Sequence, residues 1–102
     1  MKLKYQLKIE ESAVRITIED DIDMHVAGEL RKVLRGTFRT EPSLVIVDLA
    51  QVRFIDSSGI ATLIEALKNL RKWNGALRVE NSSETVRDTF DIAGLREILG
   101  IE

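Results

Sequence analysis

A chain of 102 residues is the size of one ordinary domain, and 15 basic against 17 acidic residues leave a formal charge of -2, which gives no electrostatic basis for a nucleic-acid or anionic-membrane partner. Cysteine is absent, so disulfide frameworks and thiol chemistry are excluded. No apolar run approaches the roughly 18 residues of a membrane span, and the opening MKLKYQLKIE lacks the apolar core of a leader; a soluble cytoplasmic domain is expected, without direct membrane insertion.

Leu3, Tyr5, Leu7 and Ile9 alternate with polar residues, as do Val14, Ile16 and Ile18. Both segments read as half-buried strands of period two, and the short connection between them implies an antiparallel hairpin. An acidic connection, Glu19 to Asp23, leads into Val26, Leu30, Val33, Leu34 and Phe38, spaced as one face of a helix. Asp23 is placed to cap that helix, with Glu29 near its first turns. The helix yields at Gly36 or Thr40, and Pro42 forbids its continuation.

Leu44 to Val47 is a β-branched apolar run of the kind buried on both faces of a parallel sheet. After Asp56-Ser57-Ser58-Gly59, the residues Ile60, Leu63, Ile64, Leu67 and Leu70 draw an apolar stripe on a second helix. Asn74-Gly75 is a left-handed stop for it, and Trp73 closes the core at its base, where a buried indole N–H needs a partner. Ala76 to Val79 is a short strand. Asn81, Ser82 and Ser83 offer a cap for a third helix carrying Val86, Phe90 and Ala93, which Gly94 stops. Residues 95–102 read as a final strand or as one helical turn. The order β-β-α-β-α-β-α predicts a single α/β domain over 1–102. Its mixed sheet has four to five strands, in two or three layers, with right-handed parallel crossovers.

The Asp56-Ser57-Ser58-Gly59 knot falls where a loop leaving a strand becomes a helix N-terminus, a position that favours negative charge. Its plainest reading is a helix cap, since Asp and Ser are each worth about 0.5–2 kcal/mol over Ala there. If Asp56 is the cap, Ser57 becomes the first helical residue and its hydroxyl is left over. Gly59 then lowers helix propensity by about 1 kcal/mol relative to Ala, which makes sense where something must approach that backbone closely. Nucleophilic catalysis by serine needs a base, and the one histidine, His25, is the only candidate. GxSxG, a Walker loop and GxGxxG are all absent. One His and no Cys leave only carboxylates for a metal, and Asp20, Asp21 and Asp23 lack the EF-hand spacing. No catalytic residue, cofactor or metal is expected.

The run VIVDLAQVRFIDSSGIATLIEALKNLRK, with the early hairpin, the acidic turn ending in Asp23 and the segment Phe90 to Leu95, resembles the STAS domains, the anti-sigma factor antagonists of bacteria. The resemblance implies that Ser57, the first serine of the motif, is a phosphoacceptor, with Ser58 second to it. It implies a partner that is both serine kinase and anti-sigma factor, bound when Ser57 is unphosphorylated, and a serine phosphatase that resets the switch. The partner-binding surface it implies is Asp23, Met24, His25, Asp56, Ser57, Ser58 and Gly59. Where the family commonly has Gly-Glu-Leu-Asp before the first helix, this chain has Asp20-Asp21-Ile22-Asp23, and it is expected to stop short of the family's last helix. The other reading is a STAS subunit of a stress-sensing scaffold or of a membrane transport or lipid-transport complex, which needs no phosphorylation.

Overall fold

The alternating opening segments form a hairpin in which β1 (Tyr5–Glu10) pairs antiparallel with β2 (Ala13–Ile18). The structure, a computed structural model, describes residues 2–100. Helix α1 (Met24–Thr37) follows and tightens into a 3-10 turn at Phe38–Thr40. Then come β3 (Leu44–Asp48), α2 (Ser57–Arg71), β4 (Ala76–Glu80) and α3 (Glu84–Ile92). The four strands lie in the order β1-β2-β3-β4, with β2, β3 and β4 parallel. Element order and mixed sheet are those implied by the hydrophobic periodicities.

The two parallel crossovers step across the sheet in the same direction, and right-handed crossovers of that kind place α1 and α2 on the same face. That face is apolar: Val14, Ile16, Ile18, Val45, Val47, Leu77 and Val79 are buried with Leu30, Leu34, Leu63, Leu70 and Phe90 of the helices. The opposite face carries charge. Arg15 reaches Asp48 at 3.1 Å and Glu80 at 2.9 Å, and Arg78 lies 3.5 Å from Glu80. The run at 44–47 is therefore not buried on both faces, contrary to its β-branched composition. Val45 and Val47 are buried, whereas Leu44 and Ile46 are only half-buried, because ionic side chains take the place of a second helical layer.

The first strand also departs from its pattern. Tyr5, Leu7 and Ile9 stand opposite Ile18, Ile16 and Val14, on the helix-bearing face, yet all three are exposed. The cover supplied by α1 is centred on the β2–β3 crossover and stops short of β1. Just ahead of the strand, Leu3 is buried, and its N–H donates to the Glu29 carboxylate. That bond gives Glu29 a task other than complementing the α1 dipole.

At the end of α2, Asn74 takes the left-handed conformation, with φ 60°. Gly75 is required for a different reason. A Cβ there would lie 2.9 Å from Leu70 Cδ2, from the Pro42 carbonyl oxygen and from Trp73 Nε1. The Trp73 indole finds its partner, donating to the Pro42 carbonyl at 2.9 Å, and its ring stands edge-on to Phe38 with centroids 5.6 Å apart. Ser83 caps α3 by accepting the Val86 N–H at 3.2 Å, and Gly94 ends that helix at φ 70°. Beyond it the chain makes a helical turn, with the Leu99 N–H donating to the Leu95 carbonyl at 2.9 Å. Leu99 is buried, and the Gly100 carbonyl accepts the Val79 N–H at 3.2 Å. The expectation for Ile101 and Glu102 lies outside the described residues.

Gly75→Ala should lower stability by about 1–3 kcal/mol, the usual range for overpacking, because the Pro42 backbone cannot move aside without disturbing β3. Urea denaturation followed through the single tryptophan checks this.

Candidate functional site

β2 and β3 are parallel neighbours, so the loops that leave them emerge at the same end of the sheet. Those loops are sewn together. The Asp21 carboxylate accepts the Arg53 backbone N–H at 2.9 Å and its guanidinium at 3.2 Å. These contacts, the backbone N–H first, hold the Asp21 carboxyl below the usual carboxylate range. Ile22 donates its N–H to the Phe54 carbonyl at 2.9 Å and accepts the Asp56 N–H at 3.0 Å, giving a parallel bridge between Ile22 and Ile55. Both isoleucine side chains are buried. They fill the place a Cβ on Gly59 would need, at 2.7 Å from Ile22 Cγ2 and 2.6 Å from Ile55 Cγ1. The close approach that Gly59 permits thus comes from inside the chain, and Gly59 is buried.

The bridge sets the starts of α1 and α2 side by side, each capped by an aspartate. Asp23 accepts the His25 N–H at 2.9 Å. One oxygen of Asp56 accepts the N–H groups of Ser58 at 2.9 Å and Gly59 at 3.1 Å, together with the Ser58 hydroxyl at 2.5 Å. The Asp56 carboxyl is held below its ordinary value. The Ser58 hydroxyl is the main cause; partial burial opposes it, and the N–H groups of Gly59, Ser58 and Met24 reinforce it. The Met24 N–H belongs to the neighbouring helix and lies near enough to favour the Asp56 carboxylate, while the hydrogen bonds of the cap itself come from Ser58 and Gly59 in α2.

The two serines are left in different states. Ser58 is half-buried, with its hydroxyl committed to Asp56 and its carbonyl accepting the Thr62 hydroxyl at 2.9 Å. Ser57 is exposed in the first turn of α2, and among the described residues its hydroxyl engages no other group. Two large apolar side chains belong to the same loop-and-helix-start assembly: Met24 is 73% exposed and Phe54 49% exposed. An acidic recess beside them is lined by Glu19, Asp20, Asp21, Asp23, Gln51 and Arg53. His25 lines a separate groove along α1 with Glu29, Lys32 and Arg35.

Of the residues named from sequence, Asp23, Met24, Asp56, Ser57 and Ser58 come together at the paired helix starts, with His25 at their margin and Gly59 beneath them. Phe54 was not among those residues. It sits in Val52-Arg53-Phe54-Ile55, where Val52 and Ile55 turn inward and Phe54 outward; no period distinguishes the three apolar residues. Among the described residues no three His, Asp or Glu side chains converge as a metal site, and no helix is long and apolar enough to cross a membrane.

A carboxyl depressed in the folded state stabilises fully above its unfolded value of about 3.9 and loses that contribution as pH falls through the folded value. Asp56→Asn keeps an acceptor for the cap but has no charge to lose. It should be about 1 kcal/mol less stable than the parent at pH 7, with the gap closing as pH falls from 5 toward 2; urea midpoints across that range check it.

The STAS domain family model matches residues 4–102. The chain is 32% identical over 101 residues to the anti-sigma-B factor antagonist of Bacillus subtilis (strain 168), covering 99% of this chain and 92% of that protein. Among solved structures it is similar to an anti-sigma factor antagonist from Mycobacterium paratuberculosis, with TM-score 0.87 and 20% identity over 98% of this chain and 85% of that one. It is also similar to the Bacillus cell fate determinant SpoIIAA in the phosphorylated form, with TM-score 0.77 and 22% identity over 97% of this chain and 89% of that one. Those two likenesses carry the fold; the family model and the Bacillus subtilis relative carry the assignment, and the chain belongs to the STAS domain family.

Proposed function

We propose that this protein is an anti-sigma factor antagonist: a binding module that sequesters a serine kinase acting as anti-sigma factor while Ser57 is unphosphorylated and releases it once Ser57 is phosphorylated. The observation that carries this reading is the contrast between the serines, one hydroxyl held by Asp56 and the other exposed and unengaged. The 32% identity to a protein named anti-sigma-B factor antagonist supports it, as does the solved phosphorylated form of a structural relative. In the transfer step, the Ser57 oxygen attacks the γ-phosphorus of ATP on the kinase. The bond to the β-phosphate oxygen breaks, ADP leaves, and the hydroxyl proton passes to a base on the kinase. A serine phosphatase returns the hydroxyl by hydrolysis.

The charge acts on binding and leaves folding nearly untouched. Phosphoserine adds about -1.5 to -2 at pH 7. The helix start favours it by about 0.3–1 kcal/mol, and nearby Asp56 opposes it by an amount of the same order. Neither is large against a typical domain stability of about 5–15 kcal/mol. A partner that covers Ser57 must instead dehydrate a near-dianion, and an unpaired buried charge costs about 3–5 kcal/mol. At ~1.4 kcal/mol per tenfold in affinity, that penalty lowers affinity by about a thousandfold with no change of conformation.

The test is incubation with the cognate kinase and ATP, followed by mass spectrometry and affinity measurement. Phosphate is expected on Ser57, absent in Ser57→Ala and retained in Ser58→Ala. Ser57→Asp should bind the kinase at least about tenfold more weakly than Ser57→Ala, with a melting temperature within a few degrees of it. Phosphate on another residue, or equal binding by the Asp and Ala variants, overturns the switch. Co-purification with a permease or lipid-transport subunit, with no kinase activity toward Ser57, favours the transport-complex reading instead.

The exposed apolar pair should anchor that partner. Phe54→Ala and Met24→Ala should each weaken kinase binding by about tenfold or more, as anchor residues at interface centres do. Both side chains are largely outside the core, so stability measured by urea should change little.

A further inference from the structure

The two edges of the sheet are treated differently. The outer edge of β4 is taken up by the C-terminal turn, where the Gly100 carbonyl accepts the Val79 N–H. The outer edge of β1 is bare. The Lys4 carbonyl accepts the Glu19 N–H from the β2 side at 2.8 Å. Backbone groups alternate in direction along an antiparallel strand, so Tyr5, Leu7 and Ile9 turn their N–H and C=O groups away from β2. Among the described residues nothing bonds to those groups. The side chains of the same residues are 40%, 45% and 69% exposed, and they form one wall of a groove whose other wall is Val33, Gly36 and Thr40.

We propose that the bare edge of β1 is an interface with a second copy of this chain, the two β1 strands pairing antiparallel about Leu7. The charge pattern selects this occupant and this register. Pairing about Leu7 sets Leu7 opposite Leu7 and Tyr5 opposite Ile9 of the second copy, and every outward N–H and C=O of the three residues finds a partner. On the other face it sets Lys4 opposite Glu10 and Lys8 opposite Gln6. A slip of two residues one way brings Lys8 opposite Lys8; the other way it brings Lys4 opposite Lys8. Like charges directly opposite destabilise a strand pair. Lysines on an edge strand ordinarily deter pairing, and in the Leu7-centred register both face a carboxylate or an amide. Lys8 is already drawn along its own strand to Glu10 at 2.8 Å. The product is one sheet made of two sets of four strands, with both α1 helices on the same face and the apolar rows meeting between them. This inference does not depend on Ser57 or its modification.

Analytical ultracentrifugation of the full chain across micromolar to millimolar concentrations should show a mass rising from 11.5 kDa toward twice that value. Amide exchange at Tyr5, Leu7 and Ile9 should slow as the dimer forms, while Gln6 and Lys8, already bonded to β2, should not respond. Leu7→Arg places two arginines face to face and should weaken dimerisation by at least about tenfold. Lys4→Glu should weaken it by about tenfold, and Lys4→Glu combined with Glu10→Lys should recover most of the loss. Circular dichroism confirms that each variant folds, and the exchange data on the parent protein stand without any variant. A chain that stays monomeric at millimolar concentration overturns the proposal. So does a dimer whose affinity ignores the charge exchange or whose β1 amides stay unprotected.

Discussion

Two backbone hydrogen bonds, from the Ile22 N–H to the Phe54 carbonyl and from the Asp56 N–H to the Ile22 carbonyl, hold this site in one piece. They renew the parallel pairing of β2 and β3 well beyond the ends of those strands. Burial of Ile22 and Ile55 locks the register, because a slip of one residue would turn both side chains out of the core. The helix starts lie just past the bridge on both sides, so their spacing follows from it. In that spacing the Asp56 carboxylate, hydrogen-bonded to N–H groups of α2, also feels the Met24 N–H at the start of α1. Gly59 completes the arrangement by leaving room for the two isoleucines. The field at this cap thus depends in part on a contact between distant parts of the chain.

Local chemistry was legible in the sequence, and coverage was not. Asp23, Asp56 and Ser83 cap their helices as their side chains suggest, and Asn74 and Gly94 end them. These outcomes are decided within a turn of chain. Whether an apolar residue is covered is decided by where other elements lie. Leu44 and Ile46 have the composition of a strand buried on both faces, but both helical crossovers fall on one side. Tyr5, Leu7 and Ile9 alternate like residues of a covered face, yet α1 stops short of them. The close approach that Gly59 allows had no assignable source, because Ile22, distant in sequence, was not visible as its neighbour. Phe54 was hidden by the same limit: within Val52–Ile55, apolar character says which residues seek cover and is silent on which one obtains it.

The site also shows how a loop region can be firm without a regular element. The connection from β3 to α2 carries three buried side chains, Leu49, Val52 and Ile55, and its backbone is tied at Ala50, Arg53 and Asp56. What it exposes is therefore held in place by what it buries. Phe54 stays exposed on a loop whose Val52 and Ile55 are anchored inward, and a partner meeting that surface would not have to order it first. Little affinity is then lost to immobilising the loop.

The acidic residues around Ser57 give a misleading impression of repulsion when they are only counted. Asp21 is engaged by Arg53, Asp23 by the start of α1, and Asp56 by two N–H groups of α2 and the Ser58 hydroxyl. A carboxylate that is satisfied by N–H groups is stabilised in place, and its field is partly offset by the dipoles that satisfy it. Exposed Ser57 keeps most of its hydration, so the proposed phosphoryl group would meet a nearly balanced field while the protein is alone. The imbalance arises only when a second surface removes that water. A group that is nearly neutral in energy to the fold and strongly unfavourable to a covering partner is what a binding switch of this kind requires. The commitment of Asp56 to Ser58 leaves Ser57 as the serine of the pair whose hydroxyl is unengaged among the described residues.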